Sequence, residues 1–146
     1  MRRLFASLIL FGCLAFAIPA SAATGKVIKV LPHFLDLKGR HTKSPSLFDR
    51  DAYQAWLRQH PGERSGIRYD VQWRARDATQ TLKLRAELRG IAQGNLPREK
   101  TLELELKPAK GLARWASLEL TGNDYQTLGE VTAWRVTLWD GDQLVG

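Results

Sequence analysis

The residues with the chemistry to catalyse or to ligate are few in this sequence, and they are dispersed. His33, His41 and His60 are the only histidines. His33, Asp36 and His41 lie close together, and imidazole with carboxylate suits zinc or copper. A metal-dependent hydrolase built on the 33–41 loop is therefore one reading. The spacing matches no ligand motif with a physical rationale, so the expectation is solvent-exposed loop histidines with no metal or other cofactor. His60, beside Pro61, reads as a helix-end residue that meets terminal carbonyls.

Nucleophilic catalysis needs a hydroxyl held by a base that a third group orients. Beyond residue 22 the serines are Ser44, Ser46, Ser65 and Ser117, and none sits in a glycine-flanked elbow. Glu103 and Glu105 share one phase of a strand, where carboxylates are usually solvated or paired across the sheet. Gly90 and Gly94 lack both the pattern of a phosphate loop and its following helix. No catalytic residue is assigned.

The leader explains part of the composition. Met1-Arg2-Arg3 precedes an apolar run from Leu4 to Ile18, Pro19 breaks it, and Ala20-Ser21-Ala22 supplies small residues for a peptidase. Residues 1–22 thus read as a cleavable signal peptide, too short in its apolar part to serve as a spanning helix. Arg2-Arg3 hints at a twin-arginine signal and Leu10-Phe11-Gly12-Cys13 at a lipoprotein box, but each lacks the rest of its motif. The style is bacterial, which places residues 23–146 in a periplasm or outside the cell, with no integral membrane segment. Cys13, the single cysteine, lies inside the leader. Thiolate nucleophiles, redox pairs and disulfides are excluded from the rest, and stability must come from a packed core. The sequence has 22 Lys+Arg against 15 Asp+Glu; without Arg2 and Arg3 the balance is 20 against 15, about +5. That is compatible with an anionic partner such as a phospholipid surface or an acidic glycan.

The elements that must position these residues are mostly strands. A first strand spans 23–31 and ends at Pro32, with Ile28 and Val30 on one face and Val27, Lys29 and Leu31 on the other. After an irregular stretch, Ser46 caps a helix over about 47–60, with Asp49 three residues on. Phe48, Ala52, Ala55 and Trp56, widened by Tyr53 and Leu57, form its expected buried stripe. From Ile67 the period becomes 2: Ile67, Tyr69, Val71, Trp73 and Ala75, then Leu82, Leu84, Ala86 and Leu88, then Leu102, Leu104 and Leu106. Further strands span 114–120 and 131–139. Asp140-Gly141 is a hairpin turn into a last strand too short for its partner, so the strand before it has an unfilled edge, and pairing with another chain is one outcome. The last strand thus reads as incomplete at Gly146. The Trp134-to-Asp142 stretch resembles the final hairpin of immunoglobulin-like domains. The expected fold is mostly β, a single domain over 23–146: a two-layer antiparallel β-sandwich of immunoglobulin-like type with about seven strands, one helix inserted between the first and second. A small β-barrel is the alternative.

Trp73 and Trp134 fall on inward phases and are expected in the core, while Trp56 fixes the helix to the sheet. Trp115 and Trp139 fall out of phase with their neighbouring leucines, Arg135 shares the phase of Trp139, and these three form the candidate binding surface. Covered tryptophans are the expectation at both out-of-phase positions. Arg68, Arg74, Arg76, Lys83, Arg85 and Arg89 alternate with Asp70, Glu87, Glu103 and Glu105 in a mixed-charge surface, without the basic stripe and aromatics of a nucleic-acid binder. The functional reading is an exported non-catalytic binding domain whose partner is an envelope or extracellular protein or glycan. The alternatives are a carbohydrate- or anionic-polymer-binding module and the 33–41 metal hydrolase.

Overall fold

The alternating segments all fold as strands. The computed structural model describes residues 23–78, 80–107 and 111–146. The leader assigned to 1–22 lies outside the described residues, as do Thr79 and residues 108–110 of two predicted turns. In chain order the elements are β1 (Thr24–Asp36), α1 (Leu47–Gln59), a 3-10 turn (Pro61–Glu63), β2 (Arg64–Arg76), β3 (Leu82–Ala92), β4 (Leu96–Leu106), β5 (Arg114–Thr121), α2 (Gly122–Leu128), β6 (Glu130–Asp140) and β7 (Gln143–Leu144). No helix among the described residues is long and apolar enough to cross a membrane.

The strands form two antiparallel sheets, ordered β1-β2-β5 and β4-β3-β6-β7. The barrel alternative is thereby corrected. The chain passes from β2 to β3 without pairing them, so the ladder divides in two instead of closing on itself. One hydrophobic cluster draws on both sheets: Tyr69, Val71 and Trp73 of β2, Leu84 and Leu88 of β3, Leu118 and Leu120 of β5, and Leu138 of β6. The register sets Leu104, Leu84 and Leu138 side by side across three strands, which is how the period-2 pattern becomes a continuous apolar layer. Burying one such leucine fully is worth about 1.5–3 kcal/mol.

Three local expectations are corrected. β1 does not end at Pro32. It pairs only with β2, so a residue lacking an N–H is tolerated wherever that N–H would face the unpaired side. A bulge between Val27 and Lys29 also shifts its phase, turning Ile28 to solvent while Val27, Val30 and Phe34 pack on the core. The loop from Gly90 to Pro97 is replaced by a tight β3–β4 hairpin in which Gly94 and Asn95 take positive φ. Gly90 itself is strand, paired with Arg98 and Val131, and Leu128 O and Glu130 O approach so closely that no side chain fits there. The turn beginning at Thr121 contains α2, which places Leu128 in the core.

Most of the expected stripe of the helix faces outward, while Leu57 at its margin is buried as expected and Tyr53 is half-buried. Ser46 caps it as expected, accepting from Asp49 N at 3.4 Å. Phe48, Ala52, Ala55 and Trp56 are exposed, whereas Gln54 and Leu57 are buried. The reason is polar: Gln54 accepts from Phe34 N at 2.7 Å and donates to Phe34 O and His41 O at 2.9 and 2.8 Å. The glutamine amide thus stands in for a neighbouring strand on the outer edge of β1. Arg64 closes the other end of the helix, donating to Leu57 O at 2.6 Å and to Arg58 O.

Candidate functional site

The outer face of β6 carries two of the three candidate binding residues. Arg135 pairs with Glu87 at 2.6 Å. Trp139 lies under the Arg85 guanidinium, 4.6 Å from its ring centre, and donates to Thr137 Oγ1 at 2.8 Å. Arg85 also pairs with Glu103, as does Lys83, and Arg89 pairs with Glu99. The Glu103 carboxyl is held below the usual carboxylate range by the Lys83 and Arg85 hydrogen bonds. A shallow depression of about 310 Å³ on this side is rimmed by Glu87, Arg89, Glu99 and Arg135. Trp115 belongs to β5 in the other sheet, opposite Gln72, and is 52% exposed rather than covered. The three candidates are not brought onto one sheet.

The 33–41 segment is likewise not the free loop that the spacing suggested. His33 lies within β1 and is buried, which corrects its expected exposure. Burial lowers its pKa, against the opposing pull of Asp70. Asp36 is saturated: it accepts from Arg40 N, Lys38 N, Arg40 Nε and Tyr53 Oη at 2.7–3.0 Å. Burial alone would raise its pKa, but those donors outweigh it and hold the carboxyl well below its ordinary range. Among the described residues no group of three His, Cys, Asp or Glu side chains is placed to hold a metal. His60 Nδ1 lies 2.8 Å from Trp56 O, the terminal contact expected of it.

Sequence reasoning did not join Ser117 to His33. Both reach Asp70, through Ser117 Oγ at 2.6 Å and His33 Nδ1 at 3.1 Å, while Arg68 binds the same carboxylate at 2.8 Å and Ser117 Oγ at 2.9 Å. Desolvation pushes the Asp70 pKa up, but Ser117 and Arg68 more than offset it and keep the carboxyl below its usual value. Acyl transfer requires the imidazole to take the serine proton. Here the serine donates to the carboxylate, so the cluster fastens β1, β2 and β5 across their outer face.

A further opening lies where the edges of the two sheets meet. A cavity of about 190 Å³ is lined by Pro32, Phe34, Arg58, Ile67, Val131 and Trp134. Trp134 was expected in the core; it is 42% exposed, because β6 is covered on one side only by β3 and its indole tilts against Tyr69 at the rim, 5.7 Å between ring centres. The opposite wall is fixed by Arg64, whose guanidinium lies 3.9 Å from the Phe34 ring centre and pairs with Glu130 at 3.0 Å.

Main-chain groups continue this opening along both edges. Leu138 N and O bond Gly146, and Gly25 N donates to Val145 O at 3.1 Å, so residues 145 and 146 touch both sheets. Strand geometry repeats every second residue. Counting back from Leu138, the main-chain N–H and C=O of Val136 and Trp134 face outward; on β1, those of Val30 face outward, as do those of Gly25 and Phe34 at either end. β7 reaches only Trp139 and Asp140 of β6. Among the described residues no main-chain partner meets Val136, Trp134 or Val30 on that side. The sequence signal for this seam was Pro32, a residue without an N–H inside an apolar strand. Comparison with protein-family models, with curated proteins and with solved structures gives no match.

Proposed function

We propose that this chain is an exported, non-catalytic binding domain, bacterial and periplasmic or secreted, with the β1–β6 seam as its contact surface. The observation that carries the reading is Trp134, half-exposed over an apolar slot and backed by Phe34, Ile67 and Val131. Tryptophan, with tyrosine and arginine, is enriched among the few residues that carry most of the energy of a protein contact. The fold reading that goes with it is a two-layer sandwich of immunoglobulin-like type with α1 over one open end. Its support is the single hydrophobic cluster fed by inward residues of both sheets.

The test is capture of partners from the native envelope by the secreted form, followed by titration of each purified partner against the wild type and Trp134→Ala. A loss of about 2 kcal/mol or more is expected at a central tryptophan. Equal affinity for both forms refutes this surface, and turnover of a substrate by the purified protein refutes the non-catalytic reading.

A second reading rests on a different row. On the outer face of sheet β1-β2-β5 the register sets Lys29, Gln72 and exposed Trp115 side by side. An aromatic face beside an amide and an ammonium suits a sugar ring of an acidic polymer. Binding to acidic polysaccharide that Trp115→Ala abolishes would favour it.

A further inference from the structure

We propose that the seam between β1 and β6 accepts an extended segment of a partner protein as an added strand, with one large apolar side chain seated between Phe34 and Trp134. The proposal rests on the binding-domain reading and deepens it by naming the occupant. Unpaired N–H and C=O groups along an edge are satisfied at their own repeat only by another extended polypeptide. A sugar or a lipid headgroup offers no such repeat.

The molecule already contains a short example of the arrangement. Residues 143–146 run beside β6, with Leu144 opposite Trp139 and Gly146 bonded to Leu138, while Val145 O accepts from Gly25 of β1. The Val145 side chain meanwhile packs against the core. Neighbouring strands lie about 4.8 Å apart and stacked sheets about 10 Å, so one strand at the side of two layers reaches both edges. Gln54 fills the far end of the β1 edge at Phe34. Between these two plugs lie Val30 on β1 and Val136 and Trp134 on β6, whose outward groups are unmet among the described residues. An added strand fits that interval, continuing the line of β7. Its alternate side chains would face the core as Val145 does, and one of them meets the 190 Å³ slot, which has room for a leucine or phenylalanine side chain.

The experiment selects linear peptides from a displayed library against the secreted protein and then follows amide hydrogen exchange by NMR with a selected peptide bound. The expected peptides alternate apolar and polar residues around one large apolar side chain. Exchange at Val30, Trp134 and Val136 should slow at least tenfold on binding. Trp134→Ala should weaken binding at least tenfold. Val136→Pro, which removes one outward N–H and spares those bonded to β3, should do the same while remaining folded. Binding without protection of these amides overturns the added strand but leaves the contact surface standing, whereas binding that ignores both substitutions removes both readings. Absence of selectable peptides also overturns the proposal. So does protection of the same amides by self-association, or in the partner-free native protein with an intact mass beyond that of residues 23–146, since the occupant is then a second copy or the same chain.

Discussion

Replacement of Gln54 by methionine tests the claim that one side-chain amide substitutes for a strand on the β1 edge. The change keeps the length and the apolar stem, and removes the groups bonded to Phe34 N, Phe34 O and His41 O. Gln54 is buried, so methionine fills the space without reaching solvent. Each net hydrogen bond contributes about 0.5–1.5 kcal/mol, and a donor or acceptor left unmet costs more than a bond never made. Phe34 lies on an edge where water recovers part of the loss. The expected destabilisation is therefore about 2–3 kcal/mol. With a urea dependence of about 1–3 kcal/mol per molar, the unfolding midpoint should fall by about 1–2 M. Amide exchange supplies a second, local readout: among the described residues Gln54 is the acceptor that protects the Phe34 amide, so its exchange should accelerate far more than that of Tyr69 or Leu84. A midpoint shift below about 0.3 M together with unchanged Phe34 exchange would refute the reasoning.

Three further outcomes follow from burial, charge and backbone geometry. The His33 pKa is lowered by burial, so the unfolded chain takes up its proton first as pH falls below about 6.5. Stability present above that pH then declines as pH falls through the folded pKa; His33→Gln should flatten this part of the curve, and a gain in stability between pH 7 and 5 contradicts the assignment. Asp36 and Asp70, both held below the ordinary carboxylate range, add a second decline as pH drops under about 4. Gly129 has φ +76°, and a Cβ there would stand 2.2 Å from Ile91 O. Gly129→Ala should cost at least about 3 kcal/mol in thermal or chemical unfolding, whereas Gly62→Ala, with open space around it, should stay within about 0.5 kcal/mol.

The sequence was most readable where burial repeats. Ile67 to Ala75 and Leu82 to Leu88 bury the faces their alternation implies, because a one-residue slip would turn every one of those side chains to water. The helix was legible in its limits and its Ser46 cap, but its inward face was not. Apolar periodicity pointed to Phe48 and Trp56, whereas three amide hydrogen bonds from Gln54 set the orientation. Trp56 instead stacks on His60 at 4.4 Å and on Tyr53 at 5.9 Å along the exposed side. In the same way, no local pattern announces that Ser117, His33 and Arg68 converge on Asp70, since β1, β2 and β5 become neighbours only through the sheet order.

Faces and edges are thus encoded differently, and the difference locates the candidate site. A face is written in each strand's own alternation, so solvent exposure alone selects it. An edge is defined by what does or does not lie beside the strand, which depends on topology and on residues far along the chain. Gln54, Val145 and Gly146 each meet an edge from outside the strand they protect. Where such protection stops among the described residues, between Phe34 and Gly25 on β1 and above Leu138 on β6, an apolar slot lies beside main-chain groups with no partner there. A sheet edge with either feature alone is commonly neutralised by water or by a charge. With both features together, burial of Trp134 and pairing of Val136 become available to the same ligand at once. That coincidence is the reason for proposing the seam as the contact surface rather than the ion-paired outer face around Arg85 and Glu103.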